Sequence, residues 1–205
     1  MTELAKLKAE GKIKHIAVCN FGMEDIKQLF EIGVPIISNQ LCYGLLWRGV
    51  ERGIVQLCED NGIAIIPWGS LGQGLLCGKF ATADDVPAGR ARSRIFSSNR
   101  PQQRHGEAGL EEEVWVAIDK IRQIAKKADV PMVQLSLAWV MQRQNVGTVL
   151  MGARNQRQLE SNLAALNVTL SKEILKELDE ATREVMEGLG DNLDCYETAA
   201  NSRIR

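Results

Sequence analysis

Short apolar segments alternate with helical segments along most of the 205-residue chain. None of these apolar segments alternates in polarity, which is typical of strands buried on both faces of a parallel sheet. The predicted strands are Ile13–Val18, Pro35–Gln40, Ile63–Pro67 and Thr148–Met151. The predicted helices are Thr2–Glu10, Met23–Ile32, Glu51–Asn61, Leu110–Ala128, Met132–Arg143, Gln156–Leu166 and Ser171–Val185. This order predicts an α/β fold built on a parallel sheet.

The composition narrows the possible partners. The net charge of −1 provides no overall field that would favour nucleic acid or a membrane surface. No apolar run approaches the roughly 20 residues that span a bilayer. The charged N-terminal segment lacks the apolar core of a signal peptide, so we expect a cytoplasmic protein.

Cysteine and histidine usage predicts neither a metal site nor a disulfide framework. The five cysteines have no C-x-x-C spacing, and we expect them to be reduced thiols. Two histidines are too few for a histidine-based zinc site. These residues are Cys19, Cys42, Cys58, Cys77, Cys195, His15 and His105.

A glycine-rich loop follows the third predicted strand, within Ile63–Lys79. It contains Trp68, four glycines and, at its end, Lys79. Glycines let backbone N–H groups approach a phosphate, and a lysine neutralises its charge. Two ordinary alternatives remain open, since Trp68 could be a core residue and Lys79 a solvated surface lysine.

Two segments interrupt the regular order. Residues 81–106 form a long loop with five arginines, and a loop of this length is usually either functional or disordered. Residues 188–205 are predicted to be an irregular C-terminal tail.

Four segments in order resemble motifs of the aldo-keto reductase family. Lys12–Phe21 resembles its G-K-I-R-x-I-G-V-S-N-F segment, and Gln40 with Tyr43 resembles N-Q-x-x-Y. Ile63–Phe80 resembles the loop W/Y-S-P-L-x-x-G-L-L-T-G-K, and Met151–Leu163 resembles P-G-A-R-x-x-x-Q-L-E-E-N. The chain is therefore identified as similar to this family over nearly its whole length.

The resemblance implies a partial TIM-type (β/α) barrel, with about four β/α units matching strands five to eight of a family member. We expect residues 1–187 to form this half barrel and residues 188–205 to form the tail. The family's catalytic Asp, Tyr, Lys and His belong to the other half and have no counterpart here. The isolated chain is therefore expected to be a truncated form that is inactive or severely impaired.

The resemblance also implies which residues bind the cofactor NADP(H). Trp68 would stack on the nicotinamide, and Asn20 and Gln40 would hold its carboxamide; Cys19 replaces the usual serine. Gly69, Ser70, Leu71, Gln73 and Lys79 would line the pyrophosphate. Gly152, Arg154, Gln158 and Asn162 would surround the adenosine 2′-phosphate and adenine, although Ser161 stands where the family often has an acidic residue. Without the resemblance, spacing alone favours Asn20 and Gln40 as loop residues that satisfy backbone groups, and only the resemblance reverses this preference.

The sequence is consistent with three candidate functions, and the Met151–Leu163 motif disfavours the third. The first is NADP(H)-dependent reduction of a small carbonyl compound by hydride transfer. The second is a non-catalytic dinucleotide-binding or assembly half barrel, completed by a second copy or by another chain. The third is a flavin- or sugar-phosphate-binding barrel, because late glycine-rich loops bind phosphate there too.

Overall fold

The computed structural model describes residues 1–205. Three parallel strands lie in the order β1 (Val18–Cys19), β2 (Ser38–Cys42) and β3 (Ala64–Trp68). Val18 pairs with Asn39, and Ser38 pairs with Ala64. The eight helices are α1 (Thr2–Ala9), α2 (Met23–Glu31), α3 (Ile54–Asp60), α4 (Glu111–Lys127), α5 (Met132–Met141), α6 (Gln156–Leu163), α7 (Lys172–Ala181) and α8 (Arg183–Leu189). No helix combines the length and the apolar character needed to cross a bilayer.

The predicted fourth strand, Thr148–Met151, is wrong. Pairing to β3 begins upstream, where Ile65 N donates to Asn145 O at 2.9 Å and Gly147 N donates to Ile65 O at 3.0 Å. Only Leu150 N, which donates to Pro67 O at 2.8 Å, continues this contact. Pro67 has no N–H and cannot return the hydrogen bond that a regular ladder requires. Residues 145–150 therefore follow the edge of β3 without forming a strand.

Two further boundaries differ from the prediction. The first predicted strand, Ile13–Val18, is reduced to β1, although Ile16 O accepts a hydrogen bond from Ile37 N at 2.9 Å. The predicted helix Ser171–Val185 is divided at Thr182 into α7 and α8. The Thr182 hydroxyl donates to Leu178 O at 3.0 Å, a bond that commonly bends a helix.

Helices cover one face of the sheet, and the other face is open. The covered face meets a single core that includes Ile65 of β3, Ile118 of α4 and Trp139 of α5, all fully buried. On the opposite face, the alternate residues Ala64, Ile66 and Trp68 of β3 are only partly buried. The prediction that both faces are buried is therefore wrong for these residues, although the sequence is apolar on both.

The long loop, residues 81–106, is organised by a buried arginine. Arg94 donates to Glu107 Oε2 at 2.9 Å and to the carbonyl oxygens of Asn192 and Leu189 at 3.0 and 3.1 Å. These carbonyl groups belong to the end of α8 and to the C-terminal tail. The guanidinium group therefore joins the loop and the tail, two segments that lack regular hydrogen-bond ladders.

Candidate functional site

A groove of about 770 Å³ lies between the glycine-rich loop after β3 and the beginning of α6. Both segments follow the carboxyl ends of sheet positions, where ligands bind in parallel α/β folds. Ten of the thirteen residues predicted from the sequence line this groove: Trp68, Gly69, Ser70, Leu71, Gln73, Lys79, Gly152, Arg154, Gln158 and Asn162.

The other three predicted residues lie next to Trp68, outside the groove lining. Trp68 Nε1 donates to Asn20 Oδ1 at 3.1 Å, and Asn20 N donates to Gln40 O at 2.8 Å. Cys19 pairs in register with Gln40. Asn20 has φ 55°, a left-handed conformation that asparagine tolerates better than most residues, and it turns the chain at the end of β1. The structure therefore brings these four residues together at the carboxyl end of the sheet.

At the glycine-rich loop, the side chains of Lys79 and Arg90 lie next to Gly74, which has no side chain of its own. Gly74 has φ 98°, and a Cβ atom built there would lie 3.3 Å from Lys79 Nζ and 3.4 Å from Arg90 Nη1. Such a conformation is easily adopted only by glycine. The absence of a side chain at Gly74 therefore leaves room for the two cationic groups.

Two other loop residues are already engaged in internal hydrogen bonds. The Ser70 hydroxyl is buried and donates to Tyr43 O at 2.9 Å. Gln73 Nε2 donates to the Tyr196 hydroxyl, so the C-terminal tail contacts this loop. The Ser70 hydroxyl donor is thus already used, but its oxygen can still accept and its backbone N–H is not part of this bond.

Side chains from the same segment cap the beginning of α6. Asn155 Oδ1 accepts from Gln158 N at 2.9 Å, and Gln158 Oε1 accepts from Arg154 N at 2.9 Å. Asn162 is buried, and its amide donates to Gly152 O at 3.3 Å. Gln158 and Asn162 therefore brace the turn before α6, while the exposed Arg154 side chain remains available to a ligand.

The groove is positively charged. Four cationic side chains line it, and none of the lining residues is an aspartate or a glutamate. None of the four takes part in an ion pair, whereas more than half of the chain's lysines and arginines do. The four residues are Lys79, Arg90, Arg154 and Arg157.

Cys77 also lines the groove. Burial raises the pKa of its thiol, and the nearby Lys79 only partly opposes this effect. The thiol therefore stays protonated at neutral pH and adds no negative charge.

Sequence reasoning missed Arg90 and Arg157. Arg90 is one of five arginines in the loop 81–106, and only the folded chain shows which of them reaches the groove. A turn in which Arg90 N donates to Pro87 O at 2.8 Å brings it there. Arg157 had a sequence signal, because it lies in the first turn of the predicted helix Gln156–Leu166, three residues after Arg154.

Comparison with known proteins identifies the family. The model of the aldo/keto reductase family matches residues 1–183. The chain belongs to the aldo/keto reductase family. This confirms the resemblance drawn from the four sequence motifs.

Several family members are similar to this chain. It is 33% identical to probable aldo-keto reductase 1 of Glycine max, covering 87% of this chain and 49% of the relative. It is 31% identical to the NADH-specific methylglyoxal reductase of Escherichia coli K12, covering 87% and 52%. It is 30% identical to the aldo-keto reductase yakc [NADP(+)] of Schizosaccharomyces pombe, covering 88% and 52%. The chain thus spans about half the length of these relatives.

Solved structures of the family agree in fold. The glycerol dehydrogenase AKR11B4 from Gluconobacter oxydans matches with a TM-score of 0.73 and 26% identity, over 93% of this chain and 54% of that one. The thermostable aldo-keto reductase Tm1743 matches with a TM-score of 0.63 and 23% identity, over 88% and 53%. The fold is therefore of the TIM-type α/β class, as predicted.

Proposed function

We propose that this chain binds NADP(H) in the groove and serves as the cofactor-binding half of an oxidoreductase that reduces small carbonyl compounds. The observation that carries the proposal is a cationic groove without carboxylates in a chain whose net charge is −1. A dinucleotide phosphate has two separate anionic groups, a pyrophosphate and a phosphate monoester of about −1.5 to −2 charge. Four unpaired cations on the two sides of one groove suit such a ligand.

The residues divide between the parts of the cofactor. Lys79 and Arg90, which converge on Gly74, would bind the pyrophosphate together with the backbone N–H groups of the glycine-rich loop. Arg154 and Arg157 would bind the 2′-phosphate at the beginning of α6, where the helix dipole also favours an anion.

The remaining residues fit the nicotinamide end. Trp68 would stack on the ring, while Asn20 and Gln40 would present amide groups to the carboxamide and Cys19 a thiol. Because Trp68 Nε1 donates to Asn20 Oδ1, the indole would hold the amide in one orientation and leave its NH₂ group free to donate.

We propose NADP(H) rather than NAD(H), because two arginines lie where only the phosphorylated cofactor has a charge. Among the relatives, one is named NADH-specific and another names NADP(+). Family membership therefore leaves this choice to the residues of the individual chain, and Arg154 and Arg157 favour the 2′-phosphate.

Bound NADPH would supply a hydride to the carbonyl carbon of the substrate. The groove residues would bind NADPH and orient its nicotinamide ring. The carbonyl oxygen also needs a proton, and neither tyrosine of the chain is suited to give one. The Tyr43 hydroxyl is buried and donates to Glu51 Oε1 at 2.9 Å, and burial together with the Glu51 charge raises its pKa. Tyr196 accepts from Gln73, and burial raises its pKa as well.

We therefore propose that carbonyl reduction requires an acid from a second barrel half. The same observation favours a second candidate function for the isolated chain, which is dinucleotide binding without catalysis. Turnover of NADPH with a reactive aldehyde by the purified chain alone would refute the need for a second half. Binding of NADPH without turnover would support that need and would leave dinucleotide binding as the function of the isolated chain.

Cofactor titration tests the proposal directly. We expect the double variant Arg154→Ala/Arg157→Ala to weaken NADPH binding by about 10- to 100-fold, since each lost charge-assisted hydrogen bond contributes about 1.5 to 3 kcal/mol and part of this is recovered by water. The affinity for NADH should be unchanged, because NADH lacks the 2′-phosphate. Arg122→Ala, on the exposed surface of α4, is the control. Equal NADPH affinity of the double variant and the wild type would refute the 2′-phosphate assignment.

A further inference from the structure

The turn at the end of β1 has an uncommon backbone conformation. Asn20 has φ 55°, in the left-handed region that residues other than glycine seldom adopt. Its backbone N–H donates to Gln40 O at 2.8 Å, and its Oδ1 accepts from Trp68 Nε1 at 3.1 Å. A residue keeps such a conformation where its surroundings impose it, and residues of this kind cluster at ligand sites. The side chains that impose this turn are therefore part of the proposed nicotinamide site.

Asn39 imposes this turn from the neighbouring strand, β2. Its amide binds both backbone groups of Phe21, the residue that follows Asn20. Asn39 Nδ2 donates to Phe21 O at 2.7 Å, and Asn39 Oδ1 accepts from Phe21 N at 3.3 Å. Because the Phe21 N–H belongs to the peptide group that follows Asn20, this contact fixes the direction in which the chain leaves Asn20.

Asn39 itself is out of reach of a ligand. It is fully buried and does not line the groove. It pairs in register with Ile65 of β3, so both side chains point to the helix-covered face of the sheet. A buried amide costs free energy unless its polar atoms are bonded, and Phe21 bonds to both the oxygen and the nitrogen. Asn39 can therefore act on a cofactor only through the turn that contains Asn20.

We infer that Asn39 is a positioning residue of the nicotinamide site: by holding the turn after β1, it sets the Asn20 amide against Trp68, where that amide meets the carboxamide of the cofactor. This inference rests on the proposed function. It gives Asn39 no part in binding the phosphates, because the cationic side chains of the groove come from other segments. Loss of the Asn39 amide should therefore affect only one end of the cofactor.

Calorimetric titration with two kinds of ligand separates the ends of the cofactor. NADPH and NADH carry the nicotinamide, whereas 2′-phospho-ADP-ribose has the phosphates and the adenine without that ring. Asn39→Leu keeps a similar volume and removes the amide. We expect it to weaken the binding of NADPH and of NADH by about 10-fold, because the Asn20 amide is no longer held in place. The affinity for 2′-phospho-ADP-ribose should stay within about twofold of the wild-type value, which also shows that the variant is folded.

A milder variant and a matched control accompany this measurement. Asn39→Asp keeps an oxygen for Phe21 N but loses the donor to Phe21 O, so it should change the affinities in the same direction. Gln142→Leu is the control, because Gln142 Oε1 also accepts from a backbone N–H, that of Leu170, at 3.1 Å, and its Nε2 donates to Val168 O at 3.2 Å. Gln142 follows α5 and does not line the groove, so its replacement should leave the affinity for every ligand unchanged.

A double variant tests whether Asn39 acts through Asn20. In an Asn20→Ala background the positioned amide is absent, so Asn39→Leu should lower the affinity for NADPH by less than about a further twofold.

Several outcomes would overturn the inference and leave cofactor binding in the groove intact. These are an equal loss of NADPH and 2′-phospho-ADP-ribose binding in Asn39→Leu, an equal effect of Gln142→Leu, or the full additional loss in the Asn20→Ala background. A wild-type chain that binds NADPH no more tightly than 2′-phospho-ADP-ribose would also overturn it, because the nicotinamide would then make no contact. A wild-type chain that binds neither ligand would refute the proposed function, and this inference with it.

Discussion

Lys79 Nζ and Arg90 Nη1 approach the same point above the Cα atom of Gly74, at 3.3 and 3.4 Å from where a Cβ atom would stand. The two cations come from different segments, the end of the glycine-rich loop and the arginine-rich loop. Glycine at this position is required both by the backbone, with φ 98°, and by the space that the cations occupy.

Gly74→Ala should therefore weaken the binding of both NADPH and NADH, because the pyrophosphate is common to both cofactors. We expect a loss of about 10-fold or more, from displaced cations and from a backbone strain of about 1 kcal/mol. Gly89→Ala, in the same region but with open space around it and an ordinary φ, is the matched control. Calorimetric titration would measure both. Unchanged affinity in Gly74→Ala would show that the two cations do not act at this point.

The general fold and most of the groove residues could be predicted from the sequence, because the position of each of these residues is set by its own strand, loop or helix. The loop after β3 and the beginning of α6 place their own side chains once the strand and the helix form. Arg90 could not be assigned, because its position depends on how a loop without regular structure folds back. The open sheet face was also mispredicted, since apolar residues show which surfaces avoid water but not whether this chain covers them.

Arg94 should be a major source of stability for the loop and the tail. Arg94→Ala would leave the carbonyl groups of Leu189 and Asn192 and the Glu107 carboxylate without this donor, at a cost of about 3 to 5 kcal/mol for breaking a buried charge network. Urea unfolding would measure it. Arg104→Ala is the control, because its ion pair to Glu197 is exposed and 3.9 Å long, and we expect a change of about 0 to 1 kcal/mol. If the free energy of unfolding fell by a similar amount in the two variants, the buried hydrogen bonds of Arg94 would not be a major source of stability.

The ion pair between Arg100 and Glu111 should make stability depend on pH. The Arg100 guanidinium donates to Glu111 at 2.7 and 2.9 Å and, with a hydrogen bond from Ser97 N, lowers the pKa of that carboxyl group. A lowered pKa in the folded state stabilises the protein above the unfolded pKa of about 4.3, and this stabilisation is lost as the pH falls through the folded value.

Glu111→Gln should therefore destabilise the protein at pH 7, and its difference from the wild type should shrink as the pH falls below about 4. Chemical unfolding from pH 7 to pH 3 would follow this. Glu112→Gln, the next residue of α4 and not part of this pair, should show a small difference at every pH. A Glu111→Gln difference that is constant with pH would show that the carboxylate charge is not responsible.

Cys77 provides a chemical probe of the groove. Cys77 and Cys19 are the two exposed cysteines, but partial desolvation of the Cys77 thiol raises its pKa despite the nearby Lys79. The thiolate is the reactive form, so a raised pKa lowers its fraction at pH 8. Alkylation by iodoacetamide should therefore be slower at Cys77 than at a free cysteine and should still be accelerating above pH 9. Peptide mass spectrometry would resolve the rates at Cys77 and Cys19.

Bound NADPH should protect Cys77 from this alkylation, because Cys77 lines the same groove as Lys79 and Arg154. Protection should be lost in Arg154→Ala/Arg157→Ala at an NADPH concentration that saturates only the wild type. Urea-unfolded protein, in which all five cysteines react, provides the reference rate. If NADPH bound tightly but left the Cys77 rate unchanged, the cofactor would have to occupy a different surface, because a ligand in this groove covers the entrance to the thiol.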